Sequence, residues 1–250
     1  MLLKQTILFA LDFGNSRLKI FAEGPLLIKA IAYDSTNWVD EAFECIQSIM
    51  HQKSAIIGYS SVNPIAESKL IQKCSKLSDI SWINAGDIAY NASYPDFSQI
   101  KGIGNDRVLG IIGALQLTSA PFITIDCGTA ITVNVLDIHG VCLGGAIMPG
   151  FSTMHASLHN ATAQLPQLQP HSLQYFIGNN SIDAIHAGIN TAIKGAIKEY
   201  SSQYPEYSIV LLGGDAHILY ELLEEEQKTK TSIQADCIAI GIFSIIKDTP

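Results

Sequence analysis

Two stretches of the chain repeat one pattern. Residues 7–21 read ILFALDFGNSRLKIF and residues 122–136 read FITIDCGTAITVNVL. Each is an apolar run that ends in Asp-x-Gly with polar residues after it, followed by a second run of mixed character. A strand, a tight glycine turn and a returning strand make a β-hairpin. One such hairpin means little. Two of them, with Asp12 and Asp126 placed 114 positions apart, predict a duplicated α/β domain. Ser119-Ala120-Pro121 reads as the linker, which divides the chain into residues 1–118 and 119–250.

Two domains need apolar side chains for two cores, and the composition supplies them. The 250 residues are 48% hydrophobic and 15% charged, which excludes a disordered chain. The formal net charge of −8 argues against non-specific nucleic-acid binding, which needs a basic surface to neutralise phosphates. It leaves a nucleotide ligand open, since a few backbone N–H groups can hold a phosphate whatever the net charge. Cys45, Cys74, Cys127, Cys142 and Cys237 are odd in number and lack a CxxC pair, so reduced thiols are expected. The run Ile7–Leu11 is too short for a secretory leader, and Cys237–Ile246 is about half of the ~20 residues of a membrane span. A soluble, cytoplasmic protein is expected. The low charge content leaves apolar surface to bury and favours an oligomer.

Strands and helices alternate between and beyond the hairpins. Helical spacing covers Trp38–Lys53, Pro64–Leu77 and Asn105–Thr118, the last with Asn105 as its cap. Ser54–Ser61 and Ser81–Ile83 read as strands, and 84–104 as loop. The second half adds strands near Val141–Ile147 and Ile209–Leu212, with helices over Phe151–Asn160, Ser181–Tyr200, His217–Glu225 and Ala235–Ile246. Glu224–Glu226 with Lys228 and Lys230 reads as a solvated helix end. Alternation of this kind argues an α/β fold.

Several segments can carry chemistry. Asp12-x-Gly14-Asn15-Ser16 and Asp126-x-Gly128-Thr129-Ala130 combine a glycine that admits a close phosphate with following N–H and hydroxyl donors. A carboxylate at a strand end suits hydrated Mg2+, a hard cation that prefers oxygen. Gly104-Asn105-Asp106-Arg107 opens a long apolar helix. There Asp106 can accept a hydroxyl proton and Arg107 can clamp an acidic substrate. With few cations near the glycine turns, phosphate binding is expected to rest on backbone donors and metal ions. His155 and His159 share a helical face, but Ala156 replaces the Glu of HEXXH, so they read as surface or packing histidines. Walker A, complete GxGxxG and GxSxG patterns do not occur.

Taken in order, these motifs resemble the type III pantothenate kinases of the acetate and sugar kinase and actin superfamily. The resemblance rests on Asp12-x-Gly-Asn-Ser, Gly104-x-Asp-Arg, Asp126-x-Gly-Thr-Ala-x-Thr, Gly144-Gly-x-Ile-x-Pro-Gly150, Ile177-Gly-Asn-Asn-Ser181 and Leu212-Gly-Gly-Asp-Ala216. It spans nearly the whole chain. It implies two RNase H-like (actin-like ATPase) domains with a nucleotide cleft between them. It implies ATP-dependent phosphorylation of pantothenate to 4'-phosphopantothenate, the first step of coenzyme A biosynthesis. By position, Asp12, Gly14, Asn15 and Ser16 resemble the first phosphate motif. Asp126, Gly128, Thr129 and Thr132 resemble the second, with Asp126 and Asp12 near the cations. Gly213 and Gly214 resemble the adenosine motif. Asp106 resembles the general base, Arg107 the clamp on the pantothenate carboxylate, and Gly104 the closure of the substrate loop. The family is homodimeric, with Ser181 matching a residue that reaches pantothenate from the partner subunit. It uses Mg2+ and a monovalent cation, K+ or NH4+.

The match has departures. Leu212 stands where the family commonly has Thr, and Ser16 and Ser181 replace Thr. The substrate-loop tyrosine of the family falls at Phe97 when counted without gaps, with Tyr94 and Tyr90 nearby; Tyr94 is the candidate substrate contact. Two other readings stay open: an accessory regulatory relative that binds nucleotide, and a kinase of another small hydroxy acid.

Overall fold

The computed structural model describes residues 6–22, 24, 26–51, 53–172 and 176–249. By its internal contacts the chain separates into two units, Met1–Thr118 with Asp236–Pro250, and Ser119–Ala235.

The first unit contains β1 (Thr6–Phe13), β2 (Arg17–Ala22), β3 (Leu27–Ala32), α1 (Trp38–Met50), β4 (Ser54–Ser61), α2 (Pro64–Cys74), β5 (Ile80–Asn84), α3 (Ala85–Tyr90) and α4 (Asn105–Leu115). Its five strands lie in the order β3-β2-β1-β4-β5. The pleat of β1 sorts its residues between two faces. Ile7, Phe9, Leu11 and Phe13 pack with Ala42 and Ile46 of α1 and Ala66 and Leu70 of α2. On the opposite face Ala10 stands beside Gly58. A Cβ on Gly58 would lie 2.5 Å from Ile246, so the small pair leaves a depression for the last helix, α9 (Cys237–Asp248).

That helix packs tightly on α4. A Cβ on Gly113 would stand 1.8 Å from the Cys237 carbonyl oxygen, and one on Gly241 would stand 2.2 Å from that of Leu109. Two glycines, one on each helix, thus let the backbones meet. The sequence-based division assigns residues 236–250 to the second domain; the structure groups them with the first. Ala239, Ile242, Phe243 and Ile246 are all buried.

The second unit contains β6 (Phe122–Cys127), β7 (Ala130–Leu136), β8 (Cys142–Pro149), α5 (Phe151–Ala161), α6 (Ser181–Ser202), β9 (Ser208–Leu212), α7 (Ala216–Leu222), α8 (Glu225–Thr229) and β10 (Thr231–Ile233). Its sheet order is β10-β9-β6-β7-β8. The two sheets have one topology. In each, three antiparallel strands are followed by two parallel ones on the far side of the first strand. The duplication read from the hairpins is therefore present in the connectivity. The core of this unit gathers Ile123, Ile125, Val133, Phe151, Ile189, Ile193 and Leu211.

Three features lie outside the sequence-based elements. β3 is an edge strand exposed at most of its positions, so it lacks an alternating apolar pattern. α3 is six residues long and starts at an Asn84 side chain that accepts the Asp87 N–H; it falls in the segment read as loop. Residues 225–233 form α8 and β10 rather than the solvated end of one helix, held by a capping box between Glu224 and Gln227. Among the described residues no helix is long and apolar enough to cross a membrane. None of the five cysteines forms a disulfide, and four of them are buried.

Gly113→Ala is expected to lower stability by about 1–3 kcal/mol or more, because the added methyl meets a helix backbone that cannot rotate away. Urea unfolding of the purified variant measures this.

Candidate active site

In the first unit the site begins at the C-terminal end of β1. The Gly14 N–H donates to the Arg17 carbonyl oxygen at 3.1 Å and closes the hairpin turn. Tyr33 N–H donates to the Ser16 carbonyl oxygen at 3.1 Å, which ties the turn to the end of β3. Asn15 and Ser16 are exposed at the tip. Asp12 is only 7% exposed. Its register partners are Lys19 on β2 and Ser60 on β4, so Lys19, Asp12 and Ser60 form one row across the sheet. Directly paired residues point to the same face.

Burial pushes the Asp12 carboxyl up to about 6; Lys19 pulls it down, and the negative charge of Asp106 pushes it up again. Lys19 is thus a cation beside the first glycine turn. The sequence reading overlooked it and expected backbone donors and metal ions alone. Strand alternation and hairpin register were sufficient to find it.

The second part of this unit's site is the start of α4. Gly104, not Asn105, is its N-cap, with extended backbone and no side-chain cap. The Asn105 side chain instead fills a notch at Gly86, where a Cβ would lie 2.3 Å from its Cγ. One Asp106 carboxylate oxygen accepts the Arg107 N–H at 2.8 Å. A Cβ on Gly104 would approach that oxygen to 2.6 Å, so glycine here makes room for the carboxylate. Asp106 stands close enough for its negative charge to raise the Asp12 carboxyl. Tyr94 is 57% exposed while Phe97 is 4% exposed, so Phe97 is a core residue and Tyr94 the accessible ring.

In the second unit the Gly128 N–H donates to the Ala130 carbonyl oxygen at 3.1 Å, as Gly14 does in the first hairpin. The exposed Thr129 presents a carbonyl oxygen that accepts from Gly150 N–H at 3.0 Å and from the Thr153 hydroxyl at 2.6 Å. This fixes the turn on the start of α5. Asp126 is half-buried and pairs with Thr132 on β7 and with Leu212 on β9. Thr132 is buried, and its hydroxyl has no hydrogen-bond partner among the described residues. Gly213 has φ +84, and a Cβ there would stand 2.3 Å from an Asp126 carboxylate oxygen and 2.5 Å from the Cys127 carbonyl oxygen. Only glycine satisfies both the left-handed backbone and that closeness. Asp215 N–H donates to the Cys127 carbonyl oxygen at 3.0 Å, and Gly214 beside it is exposed. Leu212 is buried.

Ser181 is exposed at the first position of α6 and lines a groove of about 520 Å³ between α5 and α6, with Met154, Leu158, Leu165, Ile185 and Ile189. The histidines read as packing residues divide. His155 is buried; its Nδ1 meets the Phe151 carbonyl oxygen at 2.8 Å and its Nε2 meets His186 Nδ1 at 3.1 Å. His159 is exposed, with Nδ1 at 2.8 Å from the Leu165 carbonyl oxygen.

The donors around Asp12 and Asp126 are oxygens, which suits a hard cation. Thr132 supplies an unsatisfied buried hydroxyl in the same row as Asp126, and the missing Cβ of Gly213 leaves space at the carboxylate. Among the described residues no three His, Cys, Asp or Glu side chains converge as a metal cage. The residues therefore fit a hydrated cation carried partly by phosphates, as Mg2+ usually is.

The raised Asp12 carboxyl has a stability consequence. Its native value of about 6 exceeds the ordinary 3.8, so the native state binds this proton more tightly than the unfolded chain. Stability of the ligand-free protein falls as pH rises from about 4 to about 6, and the full penalty persists above that. Asp12→Asn is expected to be more stable than the parent at pH 8, by up to about 3 kcal/mol. The difference should shrink by about half at pH 5. Urea unfolding at the two pH values checks this.

Residues 8–203 match the family model for type III pantothenate kinase. The chain is 31% identical over 230 residues to the type III pantothenate kinase of Flavobacterium johnsoniae, covering 87% of this chain and 90% of the relative. It is 34% identical over 227 residues to that of Petrotoga mobilis, covering 83% and 87%. Among solved structures, a conserved protein of Campylobacter jejuni named for the Baf family of transcriptional activators superposes with a TM-score of 0.61 at 18% identity, covering 96% of this chain and 98% of that one. MreB5 of Spiroplasma citri bound to ADP gives 0.51 at 10% identity, covering 98% and 97%. The structures establish the actin-like fold in its duplicated form, and the sequence matches establish more: the chain belongs to the type III pantothenate kinase family.

Proposed function

We propose that this chain transfers the γ-phosphoryl group of ATP to the primary hydroxyl of pantothenate, giving 4'-phosphopantothenate and ADP, the first step of coenzyme A biosynthesis. The observation that carries the reading is the start of α4, where Gly104 leaves room for an Asp106 carboxylate that is anchored by one oxygen at the Arg107 N–H. The other oxygen is then the acceptor for the hydroxyl proton as the substrate oxygen attacks phosphorus. Arg107 is the fork for the pantothenate carboxylate. Tyr94 is the ring beside the substrate, since Phe97 is committed to the core.

Each glycine turn serves as a phosphate-binding element: Gly14, Asn15 and Ser16 in the first unit, Gly128 and Thr129 with Thr132 in the second. Lys19 adds a positive charge to the first turn. Gly213 and Gly214 face adenosine. Asp126 and Asp12 are the carboxylates that would hold a hydrated Mg2+, and the ion would supply neutralisation of the phosphate charge. The half-buried Asp126 with the unsatisfied Thr132 hydroxyl suits a monovalent cation, K+ or NH4+, in the same area. Phosphoryl transfer demands positioning and charge neutralisation more than covalent help, and these residue types provide both.

The functional molecule is a homodimer in the cytoplasm. The apolar groove that Ser181 lines supports this, because burial of its Met, Leu and Ile side chains against a second copy would carry Ser181 to the partner's substrate. The alternatives, a regulatory relative or a kinase of another hydroxy acid, have no observation in their favour.

The deciding experiment is phosphorylation of pantothenate by ATP and Mg2+, with K+ compared against Na+. Product that depends on K+ is expected; bound ATP without product overturns the assignment. In the same assay Asp106→Asn should lose at least 100-fold in kcat with little change in pantothenate KM. Arg107→Ala should act chiefly on KM, raising it by about 10-fold or more.

A further inference from the structure

Ser60 was not among the sequence candidates and is not needed by the mechanism above. It is 0% exposed, and its hydroxyl has no hydrogen-bond partner among the described residues. A buried hydroxyl left unsatisfied is costly, so it wants an occupant in the working state.

Its position says which occupant. Ser60 is the β4 register partner of Asp12. Two residues earlier on the same strand, a Cβ on Gly58 would point at Ile246 and Ile242, so this face of β4 looks toward α9. Alternation puts Ser60 on the same face, one step further along the strand. Asp12 shares that face, and Asp106 at the start of α4 acts on the Asp12 carboxyl. The hydroxyl therefore stands in line with Lys19 and Asp12, beside the neighbourhood shared by the two acids. A water held there can donate to the Asp12 carboxylate and use the Ser60 oxygen as a second contact. The second unit has its own unsatisfied buried hydroxyl, Thr132, also a register partner of the strand-end aspartate.

We infer that Ser60 is a positioning residue for the divalent cation: its hydroxyl and the Asp12 carboxylate together hold one water of the hydrated ion. This rests on the reading of Asp12 as a cation-site residue. Outer contacts of this kind typically change metal affinity by 10–100-fold.

The test uses Ser60→Ala, which removes only the hydroxyl. Mn2+ is the probe, titrated by calorimetry into the full-length protein with a non-hydrolysable ATP analogue present. The variant is expected to bind Mn2+ about 10-fold more weakly. Its affinity for the analogue in EDTA should be unchanged, and its urea stability without ligands should equal or exceed that of the parent, since an unsatisfied buried group has gone. Unchanged Mn2+ affinity overturns the inference. So does lower ligand-free stability with equal loss of analogue binding in EDTA, which marks a structural hydroxyl. The parent's activity on pantothenate separates the two levels. An active parent with unaltered Mn2+ binding in the variant removes the Ser60 role alone. An inactive parent with weakened Mn2+ binding in the variant keeps it and removes the assigned reaction.

Discussion

A carboxylate kept from water lies at the end of a central strand, and the glycine turns of the first unit are arranged around it. Asp12 sits at the end of a central strand, 7% exposed, with its carboxyl pushed up to about 6. A second acid, Asp106, raises the cost. Lys19 across the hairpin lowers it. No packing advantage explains a buried acid near another acid; a position of this kind is tolerated where cations or phosphates and their counter-ions come and go. The glycines follow from the same need. Gly14 makes the turn beside Asp12, and Gly104 makes space for Asp106.

The two units share a strand plan but spend the equivalent positions differently. In the first, the row across the sheet at the strand-end aspartate is Lys19-Asp12-Ser60; in the second it is Thr132-Asp126-Leu212. One row carries a fixed positive charge and the other does not. The first turn runs from Gly14 to Arg17 between paired residues, and the second only from Gly128 to Ala130. The shorter turn is braced by α5 through the Thr129 carbonyl oxygen, whereas the longer one is braced by β3 through that of Ser16. The two equivalent hairpins thus carry different side chains at ladder positions on one topology.

Sequence reasoning reached the hairpins and the duplication because both depend on local patterns. The Asp-x-Gly repeats predicted two sheets of one plan. Phe151–Asn160 and Ser181–Tyr200 were legible because helical periodicity is strong over ten or more residues. Failures came where the determinant was non-local. The assignment of α9 to the first unit depends on Gly58, Gly113 and Gly241, each matching a partner more than a hundred residues away. Glycine in a helix reads as a weakness until its contact is seen. Lys19 and Ser60 were missed for another reason. Both stand beside Asp12 through register across strands: the hairpin alone places Lys19, and the long-range β1–β4 pairing places Ser60. Phe97 against Tyr94 needed burial, which no gap count supplies.

The position of α9 bears on how the chain is made. Residues 119–235 form a compact unit from a continuous stretch, while the first unit takes its closing helix from residues translated after that stretch. On the ribosome the order of synthesis and the order of completion are therefore reversed. The second unit has all its parts first. The first unit waits with the β1–β4 face uncovered, exposing the Ala10–Gly58 depression and the α4 surface that α9 later fills. Of the two units, the one that carries Asp12 and Asp106 is begun earlier and finished later.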